Sequence, residues 1–213
     1  MIWITSDTHY WHKNICKGSS VWQDKSGCRD FDNPKEMSEA LVNSINKYVQ
    51  QDDTLYHLGD WSFGGQENIL NFWNRLICKN IKLVPGNHDH HIKNNKPFKN
   101  LFIKDGYISE FDEKSSESLT PNHLFTVLPE LVPFIYEKQK FIFCHYPIDE
   151  WEDMDRGSIM LHGHCHGNIN DCETNTFYKR MDVGIDWKEF RPYSIEEIIK
   201  IMNKRKIKAH ATE

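Results

Sequence analysis

Five short clusters of Asp, Asn and His stand out in this sequence, because these side chains bind metal ions and His also exchanges protons near neutral pH. In chain order, the clusters are Asp7-Thr8-His9, Gly59-Asp60, Gly86-Asn87-His88-Asp89, His145 and Gly163-His164-Cys165-His166. Side chains two residues apart in an extended segment point the same way, so Asp7 and His9 can face one centre, as can His164 and His166. Together the clusters indicate a metal-binding centre.

Each cluster follows a short apolar run that is predicted to be a buried strand. These strands are predicted at 1–5, 54–58, 81–84, 140–144 and 158–161. Helices are predicted between the first three strands, at about 34–50 and over the apolar positions of 69–77. Alternating strands and helices indicate a parallel sheet, and ligands of such sheets bind where the C-terminal strand ends meet. We therefore expect the five clusters to converge in one crevice.

The remaining segments have a less regular pattern. Residues 6–32 are predicted to form a long loop, with further strands at 101–104, 106–111 and 131–136 and a polar excursion at 112–123. Ser194 is predicted to cap a last helix, because Glu197 follows it at the spacing of a capping box. No repeat and no shift in composition marks a boundary, so residues 1–213 are predicted to form a single domain.

The composition argues against several classes of protein. The 213 residues carry 26 basic and 31 acidic side chains, and a net charge of −5 argues against sequence-independent binding to duplex nucleic acid. No apolar run approaches the ~18 residues of a membrane span, and the N-terminus lacks the basic region of a signal peptide. The six Cys form no C-x-x-C pair, and Cys165 is interpreted as a turn spacer. We expect a cytoplasmic protein with free thiols and no membrane partner.

The ordered set D-x-H, G-D, G-N-H-D/E, a later lone His and G-H-x-H resembles the pattern of the calcineurin-like metallophosphoesterase superfamily. All five elements occur here, between residues 7 and 166. Further segments resemble a subgroup of small bacterial and phage phosphoesterases, and they extend the resemblance over nearly the whole chain except about 105–135. These segments are Ser6-Asp7-Thr8-His9 with His12 and Asn14, Leu58-Gly59-Asp60 with Gly64, Cys144-His145-Tyr146-Pro147 with Trp151, Leu161-His162-Gly163-His164, and Val183-Gly184-Ile185-Asp186 with Arg191-Pro192.

The resemblance implies an α/β fold, a four-layer αββα sandwich of two mixed β-sheets flanked by helices. It also shows two departures from the common pattern. The second motif is often G-D-x-x-D, whereas Phe63 stands at its last position here. The gap between His9 and Asp60 is longer than usual, so the loop at 10–32 is expected to bear on specificity.

The resemblance also implies a site for two divalent metal ions, with Mn²⁺ expected and Fe, Ni²⁺ or Zn²⁺ as alternatives. The implied ligands are Asp7, His9 and His166 for the first ion, Asn87, His145 and His164 for the second, and Asp60 as the bridge. A hydroxide bridging the two ions would attack the phosphorus in line with the leaving oxygen. His88 would protonate the leaving alkoxide, and Asp89 would orient the His88 ring.

The expected activity is therefore hydrolysis of a phosphoester, as a phosphodiesterase or a phosphatase, on a small nucleotide-like substrate. Candidate substrate contacts are His12, Arg29, Arg156, Arg191 and Trp151. One alternative is a metal-dependent nuclease of the same superfamily, which would need a basic groove. A more remote alternative is a non-catalytic binding or scaffold protein with this fold, although such relatives normally lose ligands that are present here. A protein Ser/Thr phosphatase is disfavoured by the short chain.

Overall fold

Short apolar segments form the strands of the computed structural model, which describes residues 1–111, 116–167 and 178–207. In chain order the strands are β1 (Ile2–Thr5), β2 (Thr54–His57), β3 (Ile81–Leu83), β4 (Phe102–Lys104), β5 (Tyr107–Ser109), β6 (Glu117–Ser118), β7 (Thr126–Val127), β8 (Leu131–Tyr136), β9 (Gln139–Cys144), β10 (Ile159–His162), β11 (Arg180–Asp182) and β12 (Tyr193–Ser194). The α-helices are α1 (Pro34–Tyr48), α2 (Gln66–Arg75), α3 (His90–Lys93) and α4 (Ile195–Met202), and 3-10 turns lie at Lys13–Ile15, Pro121–His123, Met154–Arg156 and Ile185–Lys188.

The first sheet has the strand order β12-β1-β2-β3-β7. Its strands β1, β2, β3 and β7 are parallel, whereas β12 pairs with β1 in the antiparallel direction. Ile2 lies opposite Thr54 and Leu55 opposite Ile81, so the strands end at nearly the same level. The C-terminal ends of β1, β2 and β3 therefore share one edge of the sheet, as the sequence predicts.

Two amphipathic helices cover the outer face of this sheet. The Asn33 side chain accepts a hydrogen bond from the Glu36 amide at 3.0 Å and caps α1, and Pro34 occupies the first turn, where no amide donor is needed. The apolar residues of α1 and α2 pack on Trp3 and Leu55 of the sheet, and they include Met37, Leu41, Val42, Ile45, Ile69 and Phe72. The two predicted helices are confirmed. Helix α2 ends at Arg75, before the apolar Leu76 and Ile77 that are predicted to belong to it, because Leu76 already has an extended backbone.

The second sheet has the order β11-β10-β9-β8, with β8 antiparallel to β9 and the other pairs parallel. Phe141, Phe143 and Leu161 belong to one buried cluster with Ile4 and Leu58, so the two sheets pack face to face. Helix α4 adds its apolar residues to the same layer, and Ser194 caps this helix through the Glu197 amide at 3.1 Å. The C-terminal ends of β9 and β10 meet those of the first sheet.

The fold expected from the sequence, an α/β sandwich of two mixed sheets with flanking helices, is confirmed. A third sheet of antiparallel strands, β5-β4-β6, is added in the region that the resemblance does not cover. Of the polar excursion predicted at 112–123, residues 112–115 lie outside the described residues, and the remainder contains β6 and a 3-10 turn. None of the helices in the described ranges has the length and apolar character that crossing a membrane requires.

Candidate metal centre

The seven predicted metal ligands lie at the edge where the strand ends of both sheets meet. Four of them follow strands of the first sheet and three follow strands of the second. Asp7 and His9 follow β1, Asp60 follows β2, Asn87 follows β3, His145 follows β9, and His164 and His166 follow β10. Residues up to 159 positions apart in the chain are thereby placed side by side, and the fold brings the predicted set together.

The first group of donor atoms comes from Asp7, His9 and His166. The Nε2 atoms of His9 and His166 are 3.1 Å apart, and His166 Nε2 is 3.8 Å from Asp7 Oδ1. One donor atom from each of the three residues lies within 4.8 Å of the others. This spacing is what three ligands of a single ion require.

The second group comes from Asn87, His145 and His164. The side-chain oxygen of Asn87 lies 2.9 Å from His145 Nε2 and 3.0 Å from His164 Nδ1. An amide oxygen and two imidazole nitrogens therefore lie close together in a second group of donor atoms beside the first. His164 contributes Nδ1 to this group, whereas His145 contributes Nε2.

Asp60 lies between the two groups. Its Oδ2 atom is 3.5 Å from His9 Nε2 in the first group and 3.5 Å from His145 Nε2 in the second. Its other oxygen accepts a hydrogen bond from the His88 amide at 2.9 Å. A carboxylate in this position can contact two ions at once, which is the role expected of Asp60.

The donor set fits a pair of divalent first-row metal ions. Two carboxylates, four imidazoles and one amide are the mixed oxygen and nitrogen ligands that such ions prefer. Asp7 and His9 are almost wholly buried, and burial raises the pKa of Asp7 to about 6 and lowers the pKa of His9 well below its usual value. Bound cations would provide the positive charge that stabilises an ionised Asp7 carboxylate in this buried position, and they bind the neutral form of the His9 imidazole.

Hydrogen bonds at the Nδ1 atoms of two imidazoles determine which ring nitrogen faces the other donor atoms. His145 Nδ1 lies 2.8 Å from the carbonyl oxygen of Leu58, and His166 Nδ1 lies 2.9 Å from Asp186 Oδ2. Both acceptors select the tautomer with hydrogen on Nδ1, which leaves the Nε2 lone pair for a metal. Such partners orient metal-binding His residues in many proteins.

The backbone is left-handed at five of the seven ligands. The φ angles are 54° at Asp7, 45° at His9, 59° at Asp60, 69° at His164 and 45° at His166. Residues other than glycine rarely adopt this region and do so at an energetic cost, so its concentration here marks a functional site.

Two neighbouring glycines allow the loops to approach each other closely. A Cβ atom at Gly86 would collide with the Asp60 carboxylate, and one at Gly163 would collide with the side chains of Ser6 and Asp7. The glycines that precede Asn87 and His164 therefore allow a close approach of the backbone that a larger residue would prevent.

His88 and Asp89 occupy different environments. The His88 ring is exposed at the centre, and its centroid lies 5.3 Å from that of His9. The buried Asp89 carboxylate accepts hydrogen bonds from the amides of Asp60 at 2.7 Å, Gly86 at 2.9 Å and Trp61 at 3.0 Å. The expectation that Asp89 orients the His88 ring is therefore corrected. Both carboxylate oxygens of Asp89 bind backbone amides, and these bonds connect the loop of Gly59-Asp60 to the loop of Gly86-Asn87.

The expectation that Arg29 contacts the substrate is also corrected, because Arg29 is a buried structural residue. Its Nε and Nη2 atoms donate to the Asp186 carboxylate at 2.6 and 3.1 Å. The guanidinium also donates to the carbonyl oxygens of Asp7 at 2.6 Å and Thr8 at 2.9 Å. Burial alone would raise the pKa of Asp186. The positive charge of Arg29 and the hydrogen bond from His166 outweigh burial and hold this pKa well below its usual range. Arg29 therefore supports Asp186, which in turn orients His166.

The cavity at the centre, termed the site cavity, has a volume of about 540 Å³. Its described lining comprises His9, His12, Asn14, Ile15, Trp22, Asp24, Gly27, Cys28, Asp60, Phe63, Asn87, His88, His164 and His166. His12 stacks on Phe63 with ring centroids 3.9 Å apart, and Trp22 meets the His12 ring edge-on at 6.0 Å. The sequence singled out His12 but missed Trp22, which lies in the unusually long loop.

Three other predicted substrate contacts do not line the site cavity. Arg156 lies on a 3-10 turn, 79% exposed, and pairs with Asp153. Arg191 pairs with Glu197 at 2.7 Å, and the Trp151 indole donates to the Ser158 hydroxyl at 2.9 Å. Each of these side chains makes a local contact instead, so the geometry of the site cavity gives their assignment to the substrate no support.

This chain belongs to the calcineurin-like phosphoesterase family, whose model matches residues 1–176. Membership implies metal-dependent hydrolysis of phosphoesters, in agreement with the donor groups at the strand ends. The resemblance seen in the sequence motifs is thereby confirmed.

Relatives of this chain extend over nearly its whole length. A Methanocaldococcus jannaschii protein described as "Uncharacterized protein MJ1445" is 26% identical over 213 residues, covering 97% of this chain and 93% of that protein. The Gene 66 protein of Mycobacterium phage L5 is 26% identical over 209 residues, covering 94% and 93%. The crystal structure of AQ665 from Aquifex aeolicus, described as a protein of unknown function, has a TM-score of 0.60 at 20% identity, over 94% of this chain and 98% of that one. This last likeness concerns the fold alone.

Proposed function

We propose that this chain, as a single domain, hydrolyses phosphoesters of small nucleotide-like molecules at a centre of two divalent metal ions. The observation that carries the proposal is the position of Asp60, whose Oδ2 lies 3.5 Å from His9 Nε2 and 3.5 Å from His145 Nε2. One carboxylate oxygen thus faces both groups of donor atoms. Mn²⁺ is the proposed ion, with Fe, Ni²⁺ and Zn²⁺ as alternatives of the same ligand preference.

In the proposed reaction the metal ions and the protein side chains have separate roles. Two bound cations would supply a water of lowered pKa and neutralise charge on the phosphoryl oxygens. Asp7, His9 and His166 would hold one ion, Asn87, His145 and His164 would hold the other, and Asp60 would serve both. The exposed ring of His88 lies beside this centre, so it can donate to a phosphoryl oxygen and then protonate the leaving alkoxide.

The site cavity supports a small substrate rather than a long nucleic acid. At about 540 Å³ it has the size of a small-molecule site. Its described lining contains Asp24 and neither Lys nor Arg, whereas a nuclease needs cations along a polyanion. Trp22 and Phe63, 45% and 38% exposed, provide faces on which a base can stack.

The proposal is tested by loading the metal-free protein with Mn²⁺, Ni²⁺, Zn²⁺ or Fe²⁺ and measuring hydrolysis of bis-p-nitrophenyl phosphate, p-nitrophenyl phosphate and nucleotides. Turnover should require metal, with two ions bound per chain, and Asp60→Asn should abolish it. The exposed Asp52 offers a matched control, because Asp52→Asn should leave turnover unchanged. A protein that binds two ions and hydrolyses none of these esters would contradict the proposal and favour a scaffold.

A further inference from the structure

A second and larger cavity adjoins the site cavity. This side cavity has a volume of about 760 Å³ and is lined mainly by two stretches of chain, 26–31 and 186–190. It shares Gly27, Cys28 and His166 with the site cavity. His166 is thus reached from both sides, and its side chain is 25% exposed. A group that extends from the metal centre across His166 enters the side cavity.

The side cavity offers aromatic surface. Trp187, 38% exposed, contributes to its lining, and Phe31 stacks on Phe190 with ring centroids 5.5 Å apart and an angle of 14° between the planes. A planar group can therefore lie against Trp187 in this cavity, as another can lie against Phe63 in the site cavity.

The charges in the side cavity disfavour a second phosphate. Asp30 and Glu189 contribute exposed carboxylates to its lining. Arg29 is the one Arg or Lys among the described lining residues, and its nitrogens are already bonded to Asp186 and to backbone carbonyls. An uncharged planar group suits this surface better than an anion does.

We propose, on the basis of the phosphoesterase function above, that the substrate is a phosphodiester whose two alcohol arms each carry an uncharged planar group. The leaving arm lies against Phe63 in the site cavity, where His88 can protonate it, and the retained arm lies against Trp187 in the side cavity. Hydrolysis breaks one P–O bond, adds a water oxygen to phosphorus and gives the leaving alkoxide a proton. The products are a monoester and an alcohol. A monoester substrate would leave one of the two cavities unused.

Two diesters with the same leaving group test the proposal on the Mn²⁺-loaded protein. Thymidine 5′-(p-nitrophenyl phosphate) has a nucleoside as its retained arm, and ethyl p-nitrophenyl phosphate has an alkyl group. Stacking contributes about 1–3 kcal/mol per base, so kcat/KM should favour the thymidine ester by about fivefold or more. Trp187→Ala should lower this ratio at least fivefold and Trp187→Phe should restore it. Phe63→Ala should lower the rates of both esters together.

Tyr107→Ala is the matched control, because Tyr107 is an exposed aromatic of β5 outside both cavities. It should leave the ratio of the two esters unchanged. An equal kcat/KM for the two diesters in the wild type, a ratio that Trp187→Ala does not alter, or a preference for p-nitrophenyl phosphate over the thymidine ester would each overturn the proposal.

A binding measurement separates this proposal from the proposed function. Thymidylyl-(3′→5′)-thymidine and thymidine 5′-(methyl phosphate) carry the same charge but have two planar arms and one, respectively. Calorimetry should show about fivefold or more tighter binding of the first, and Trp187→Ala should remove the difference. If the protein hydrolyses no ester but keeps this difference, the enzymatic function fails and the two-arm site stands. Equal binding of the two ligands refutes the two-arm site.

Discussion

Asp186 Oδ2 accepts a hydrogen bond of 2.9 Å from His166 Nδ1. Because Arg29 keeps Asp186 ionised and an ionised carboxylate can only accept, the hydrogen must lie on Nδ1 and the lone pair on Nε2. The same Arg29 donates to the Asp7 carbonyl oxygen, so one guanidinium supports two residues of the first group of donor atoms, Asp7 directly and His166 through Asp186. The long loop that carries Arg29 is therefore part of the metal centre's framework.

Asp186→Ala should weaken the first metal site selectively. Loss of the partner that orients a metal-binding His typically costs about 10- to 100-fold in affinity. Calorimetric titration of the metal-free protein with Mn²⁺ should show one weakened site and one near the wild-type value. Asp52→Ala, at an exposed turn, serves as the control. Two unaltered sites in Asp186→Ala would show that the pair does not position His166.

Arg29→Met should lower the stability of the metal-free protein. The substitution leaves the carboxylate of Asp186 and the carbonyl oxygen of Asp7 without their cation. Breaking a buried pair in this way costs about 3–5 kcal/mol in free energy of unfolding, measured by urea titration in EDTA. Arg156→Met, at a side chain 79% exposed, should change it by less than about 0.5 kcal/mol. Equal stabilities of the two variants would contradict the structural role of Arg29.

His88→Asn should retain both metal ions and lose most turnover. Its backbone amide still donates to Asp60 in the variant, so the ligands keep their support, whereas proton donation to the leaving group is lost. A general acid contributes about 10²- to 10⁴-fold, and kcat should fall by that factor at full metal content. The neighbouring exposed His90 offers the control His90→Asn. Wild-type kcat in metal-replete His88→Asn would refute the proposed role.

The buried His57 should make stability depend on pH. Burial lowers its pKa from 6.5 to about 3, so this His is neutral in the folded protein and protonated in the unfolded chain between those values. Unfolding then takes up a proton, and stability falls with decreasing pH by up to about 1.4 kcal/mol per unit. The free energy of unfolding can be measured by urea titration in EDTA at several values between about pH 4 and 6. It should change less steeply with pH in His57→Gln than in the wild type, by an amount that corresponds to at most one proton taken up on unfolding. A slope in His57→Gln equal to that of the wild type would contradict this account of His57.

Metal ions should stabilise the protein by joining its two sheets, since four ligands follow strands of the first sheet and three follow strands of the second. Mn²⁺ at 100 times its dissociation constant should add about 2.7 kcal/mol per site to the free energy of unfolding. Differential scanning calorimetry should therefore show a higher Tm with Mn²⁺ than with EDTA. Asp60→Asn should show a much smaller increase, and an equal one would argue against a bridging carboxylate.

The convergence of the seven predicted metal ligands could be foreseen from the sequence, because these residues follow strand ends and the strands are visible as apolar runs. Arg29 and Asp89 show what such patterns miss. The partner of Arg29 lies 157 residues away, and nothing local in the sequence indicates that pairing. Asp89 follows His88 directly, but its carboxylate points to the backbone of another loop. Strands of two or three residues, such as β7 and β12, are too short to leave a periodic pattern.

The left-handed backbone at five of the predicted metal ligands lowers the stability of the metal-free protein. Such a conformation costs on the order of 1 kcal/mol or more at a residue other than glycine, and a glycine would relieve it. An exchange to glycine at His9 or Asp60 would therefore remove a predicted ligand and relieve this backbone strain in the same step. The strain is thus held in the metal-free protein for the sake of where these side chains point, and it is not needed for the packing of the sheets.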